Sequence, residues 1–171
     1  MDRLIVVRFD VGMTLTRALV LTTAFCSAVT GGSLFAFSTF VMPALDRLPV
    51  GQALPAMQAI NVAAPRGLFI VPLLGSAVGS AAVGVLALVR AQPPGRGWLL
   101  LGAAAGVAAF AVTAAYHVPR NDALALVQAA SPEARARWTA YAVGWTRWNH
   151  LRTVLALASA VALLVGSRAD R

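Results

Sequence analysis

The sequence predicts an all-α integral membrane protein. It reads as a four-helix bundle forming one domain over residues 1–171, with short helices in the loops on one side. Three observations carry this. Of the 171 residues, 59% are hydrophobic and only 12% charged, against about 45–50% and about 25% in soluble domains. The mean hydropathy is +0.75, and the apolar residues gather into four long runs, each near the ~20 residues that cross hydrocarbon as a helix. Alanine, a strong helix former, dominates those runs, and a bilayer leaves the backbone only helices or closed barrels. The same arithmetic excludes a disordered chain, a disulfide scaffold and an ordinary soluble enzyme.

The first span covers about 14–42 and is most apolar after Arg17. It is too long for a signal-peptide core, so it reads as a retained, tilted span. Pro43 follows and has no N–H to donate, which predicts a helix end or kink there. The second span covers about 68–89, between Arg66 and Arg90. Pro93-Pro94-Gly95 then breaks the chain, and Trp98 opens the third span, about 98–116. The fourth, about 149–166, is short, so its helix is expected to begin among the aromatic residues before His150. Gly75-x-x-x-Gly79 and Gly102-x-x-x-Gly106 are spacings that let helix backbones approach closely. Chance produces the same spacings in an alanine-rich chain.

The net charge is +8, and every basic residue is arginine. The arginines are scattered singly, without a basic stripe or a nucleic-acid motif. Charges at the ends of apolar runs point to membrane lipid as the partner, not nucleic acid. Four spans put both termini on one side and the loops 43–67 and 118–149 on the other. Arginine divides seven against seven between the sides. Only the short 90–97 loop, with two arginines, tips the reading towards cytoplasmic termini. The expectation is a multi-pass protein of a bacterial inner membrane, and a homo-oligomer is compatible with it. The one cysteine, Cys26, lies in an apolar run and reads as a small hydrophobe.

Polar and aromatic residues crowd the two loops of one side and the span ends that meet them. Met57, Gln58 and Asn61 share a face of a short helix confined between Pro55 and Pro65. They suit either a polar pocket at the bundle mouth or an interfacial helix with its amides in water. At the end of span three stand Tyr116, His117, Pro119, Asn121 and Asp122. Pro119 predicts a break, with Asn121 or Asp122 capping a helix that starts at Ala123. His117 reads as an interfacial ring, a proton-transfer group or a metal ligand.

Ser131-Pro132-Glu133 is a helix start. The helix after it carries Trp138, Tyr141, Trp145 and Trp148 as a stripe extended by Asn149 and Arg152. Such a stripe is either an aromatic belt at the membrane interface or a wall over a cavity for a flat hydrophobic aromatic ligand. Arg152 lies inside span four, where a cation needs a partner or a cavity. Asp122 is the expected partner. His117, His150 and Asp122 form a weak alternative metal set, with no ligand spacing to support it.

At these clusters the sequence resembles the anthrone oxygenase-like family of small membrane proteins, many of them filed as a domain of unknown function. The resemblance rests on Phe37-Ser38-x-Phe40-Val41-Met42-Pro43-Ala44-Leu45 with Arg47-Leu48-Pro49, then Ala56-Met57-Gln58-Ala59-Ile60-Asn61. It continues in Val118-Pro119-x-Asn121-Asp122-x-Leu124-Ala125 and Trp145-Thr146-x-Trp148-Asn149-His150-Leu151-Arg152-Thr153. It implies a four-span helical protein. Characterised fungal relatives are implicated in oxidising anthrones to anthraquinones with molecular oxygen. The family pattern has Asn where this chain has His117, which moves the emphasis to Asn121, Asp122, Asn149, His150 and Arg152.

The resulting expectation is an oxidoreductase acting on a flat phenolic or polyketide-like substrate with O2. His150, or His117, would take a proton. Arg152 would stabilise the enolate-like anion. Gln58, Asn61, Asn121 and Asn149 would orient substrate or oxygen. A resonance-stabilised carbanion reacts with O2 directly, so the reading requires no cofactor and no metal. The alternative is a non-enzymatic small-molecule-binding or structural module. Geometry separates the two: Gln58, Asn121, His150 and Arg152 either converge on one pocket or pair off separately.

Overall fold

Four long helices, two of them interrupted by a widened turn, account for the four apolar runs. In the computed structural model, which describes residues 15–90 and 95–168, the first run is α1 (Asp2–Ala36), a π-helical turn at Phe37–Val41 and α2 (Met42–Asp46). Helix α3 (Val50–Ala63) follows, then α4 (Ile70–Val89). The third run is α5 (Arg96–Val112), a second π turn at Thr113–His117 and α6 (Val118–Ala125). The last is α7 (Ala134–Arg168), 35 residues without a break. Helix α7 packs against α1 and α5, and α4 closes the ring between those two, so α4 and α7 are diagonal. Pro93 and Pro94, and Arg3, Arg8 and Arg171 of the orientation count, lie outside the described residues. Gly95 does turn the chain as expected, with φ 68° at the start of α5.

Three prolines act differently from expectation. Pro43 and Pro119 do not end their helices. In each case the preceding residue donates five residues back, Met42 N–H to the Phe37 carbonyl and Val118 N–H to the Thr113 carbonyl. A proline ring clashes with the carbonyl four residues back and cannot bond it. One extra residue in the turn relieves that conflict and lets the helix run on. Asn121 and Asp122 therefore lie within α6 and cap nothing. Pro55 likewise sits inside α3, which starts at Val50 and not after the proline. The carbonyl it would strike belongs to Gly51. Helix α7 begins well before span four, as expected, next to Ser131-Pro132-Glu133.

Helix lengths locate the bilayer. Trp98 and Tyr116 are roughly 26 Å apart along α5 and its π turn, and Trp148 and Arg168 about 30 Å apart along α7. Helix α4, with 20 residues, is also about 30 Å long. These distances match the hydrocarbon thickness. A bilayer matched to these lengths would have Arg17, Arg90, Arg96, Trp98 and Arg168 at one interface. The other would have Tyr116 and Trp148. Between them the outer faces are apolar and exposed, with Val71, Val78, Val85, Val154 and Val161 among them.

Beyond the second interface α2, α3, α6 and the first turns of α7 form a cap. Its core is Met42, Leu45, Leu54, Met57, Leu124 and Trp138, joined by Tyr141 and Trp145. A separate core of Val20, Ala24, Val83, Ala87, Leu99 and Leu163 lies at the opposite end of the bundle. The middle is closed by glycine against hydroxyl. A Cβ on Gly79 would collide with the Thr23 side chain, and one on Gly106 with Ser80. The small-residue spacings thus set helix contacts.

Candidate functional site

Arg152 is the group that demands an explanation. It lies one turn inside the membrane from Trp148, on the inner face of α7, and only 6% of it is exposed. Its Nε donates to Asn149 Oδ1 at 2.7 Å, and its Nη1 to the Thr113 hydroxyl at 3.3 Å. Its guanidinium carbon stands 5.2 Å from the centre of the Trp145 ring, a cation–π distance. No described carboxylate pairs with it. The expected partner, Asp122, is on the exposed side of α6. Continuous helix through Pro119 turns that side chain outward.

Asn149 holds the arginine in place. It is 0% exposed, and its Nδ2 donates to the Leu34 carbonyl at 2.7 Å and to the Ser38 hydroxyl. Thr153 donates to the Asn149 carbonyl at 2.8 Å. Thr113 uses its own hydrogen to donate to the Ala109 carbonyl at 3.1 Å. That leaves its oxygen free to accept from Arg152. Ser38 and Thr113 both belong to π turns. The two widened turns thus flank α7 and supply the hydroxyls of this cluster.

His117 is 1% exposed and packs edge-on against Trp145, with ring centres 5.2 Å apart. Its Nδ1 lies 3.4 Å from the Val112 carbonyl and its Nε2 3.3 Å from the Trp145 carbonyl. A neutral imidazole has one N–H, so the ring donates to one of these two carbonyls; both nitrogens face backbone, and the ring positions Trp145. The Trp145 indole N–H is buried and has no acceptor. Phe37 packs on the same indole, its centre 5.9 Å away. On the outer surface Tyr116 stacks on Trp148 at 4.7 Å, and Arg120 lies over the Tyr116 ring at 4.9 Å.

The remaining expected residues form a second network in the cap. Tyr141 donates to Asn121 Oδ1 at 2.9 Å and accepts from Asn61 Nδ2 at 3.2 Å. Gln58 Nε2 donates to the carbonyls of Leu124 and Val127 at 2.9 and 3.0 Å, tying α3 to the end of α6. Trp138 donates to Asp46 at 3.0 Å. Met57 is packed in the cap core. A surface cleft of about 480 Å³ opens beside α6, lined by Leu126, Val127, Glu133 and Arg137 among others. It does not reach Arg152.

The four diagnostic residues therefore do not meet in one place. Gln58 and Asn121 are satisfied within the cap, Arg152 belongs to the inner cluster, and His150 belongs to neither. His150 is exposed, because the residue after an inward Asn149 is turned by about 100° on a helix. The alternative metal set of His117, His150 and Asp122 is not assembled. Among the described residues no three His, Cys, Asp or Glu side chains are grouped to hold a metal ion. Sequence reasoning missed Ser38 as a site residue, Thr113 and the Leu34 carbonyl. Thr113 had one legible signal, a hydroxyl four residues before His117.

The family model described as Anthrone oxygenase matches residues 63–162, more than half of the chain. The chain belongs to that family. The matched stretch contains Thr113, His117, Asn121, Trp145, Asn149 and Arg152. The motifs around Ser38 and Gln58 lie outside it. Comparison with curated proteins gave no match, nor did comparison with solved structures. In this anthrone oxygenase family member the inner cluster joins a buried cation, aromatic faces and an unused indole donor.

Proposed function

We propose that this chain is a membrane oxidase of flat phenolic substrates of the anthrone kind, and that Arg152 holds the substrate as its anion. The observation that carries the reading is a buried guanidinium bonded only to neutral groups and facing an aromatic wall. A cation so placed favours an enolate over its neutral acid. The enolate's charge is delocalised onto a ring carbon, which passes electrons to O2 and bonds it. Loss of water from the resulting hydroperoxide leaves the quinone. The balance is anthrone plus O2 giving anthraquinone plus water, and it uses no added cofactor. Substrate arrives from the lipid, past Tyr116 and Trp148. Asn149 and Thr113 fix the guanidinium, and His117 fixes Trp145. The proton leaves before or during binding, with no role for His150.

The test is oxygen uptake by detergent-purified protein supplied with anthrone. The wild-type rate should exceed the blank, and Arg152→Met should lose at least ~10-fold, the effect of about 1.4 kcal/mol of transition-state binding. A wild-type rate equal to the blank removes the reading for this substrate class. A non-catalytic reading is favoured by the failure of Gln58, Asn121, His150 and Arg152 to meet in one pocket, and it draws on the cap network. There Gln58, Asn61, Asn121 and Tyr141 satisfy one another and the backbone, as a structural module requires. It predicts that the protein binds anthrone-like ligands without oxygen uptake, or does not bind them.

A further inference from the structure

Arg152 and Trp145 share an unmet need for the same kind of ligand. Burying a cation without a counter-charge is costly even after the protein relaxes. Each acid near this end is engaged or turned away: Asp46 accepts from Trp138, and Asp122 and Glu133 are exposed. The guanidinium is bonded through Nε and Nη1 to neutral groups and faces no carboxylate, so it is its charge, and not a buried donor, that lacks an answer. The Trp145 indole N–H, which can only donate, is buried without an acceptor. A buried donor left unpaired carries the full cost of its desolvation. The charge and the indole donor sit on side chains in direct contact, with the guanidinium carbon 5.2 Å from the indole centre. Water alone would answer the indole but not the charge.

We infer that the resting protein holds a small monovalent anion, of halide size, against Arg152 and the Trp145 N–H. A cation, an indole donor and no acid describe a halide site. Phe37 and His117 pack on the same indole, so a small monovalent anion, or the single oxygen of an enolate, is what reaches its N–H. Where the oxidase reading also holds, the substrate enolate displaces this anion, so chloride competes with substrate. That second statement rests on the proposed function; the anion site itself does not.

The experiment measures thermal unfolding of the purified protein in detergent by intrinsic fluorescence. Chloride replaces gluconate at constant ionic strength. Tm should rise with chloride and saturate, as ligand binding to the folded state requires. Trp145→Phe removes the unsatisfied donor and leaves an aromatic ring beside Arg152, so it should fold and lose most of the chloride response. Arg152→Lys keeps the charge with fewer donors and should shift the midpoint to at least ~10-fold higher chloride. Equal Tm in chloride and gluconate overturns the inference, as does an undiminished response in Trp145→Phe. A saturating response in wild type without oxygen uptake leaves the anion site standing and removes only the oxidase reading.

Discussion

Replacing Asn149 with alanine should cost this protein more than any exposed substitution, and the size can be worked from its contacts. The amide donates to the Leu34 carbonyl and the Ser38 hydroxyl and accepts from Arg152 Nε, all in a site with no solvent. Alanine removes three bonds, one of them to a charged group. Interhelical hydrogen bonds in membranes average about 0.6 kcal/mol. Buried groups left without partners cost about 1–3 kcal/mol, and charged ones more. The expected loss is therefore about 2–5 kcal/mol. Unfolding in detergent micelles by added dodecyl sulfate, followed by tryptophan fluorescence, reads it directly. A loss below about 1 kcal/mol would refute the view that Asn149 braces the arginine. Asn149→Asp adds a second arm. It keeps the acceptor for Arg152 but supplies the missing acid, so the chloride response should vanish.

Gly79→Ala should destabilise by about 1–3 kcal/mol, because its Cβ would meet Thr23 across the helix contact. Gly32→Ala, with open space around the same atom, should be neutral or gain up to ~1 kcal/mol in the same unfolding assay. Trp138→Phe should cost about 1–2 kcal/mol through the lost bond to Asp46 and the smaller ring in the cap core. His150→Ala should change neither stability, beyond about 0.5 kcal/mol, nor oxygen uptake, since the ring is exposed and outside both networks. A His150→Ala protein that folds but loses activity would return that residue to the chemistry.

The bundle was legible because its signals are long and redundant. Four apolar runs, alanine and the aromatic stripe on α7 all agree with one architecture. The stripe also led to Trp145, Asn149 and Arg152, since an unbroken helix keeps its period over 35 residues. Legibility ended where a local rule was overridden. Pro119 and Pro43 signal breaks in an isolated chain, yet packing on α7 carries both helices through. Charge, and a place just after the adjacent end of span three, pair Asp122 with Arg152 in the sequence. The helix phase decides otherwise. His150 adjoins Asn149 in sequence and still faces away.

The two π turns decide that phase. An α-helix repeats its inner face at three, four and seven residues. From Leu34 that rule would bring Val41 inward, and from Thr113 it would bring Arg120 inward. One inserted residue delays the repeat to eight. Met42 and Asn121 arrive instead, Met42 in the cap core and Asn121 on Tyr141. The intermediate inward positions, four residues along each, are Ser38 and His117, both buried. Each widened turn thus places a polar group against α7 and rotates the segment beyond it. Without the second insertion a cation would point at the Tyr141 hydroxyl, and Arg120 could not lie over Tyr116. The prolines that read as helix ends therefore mark the turns that bring Ser38 and Thr113 to Asn149 and Arg152, and the polar cap to the mouth of the bundle.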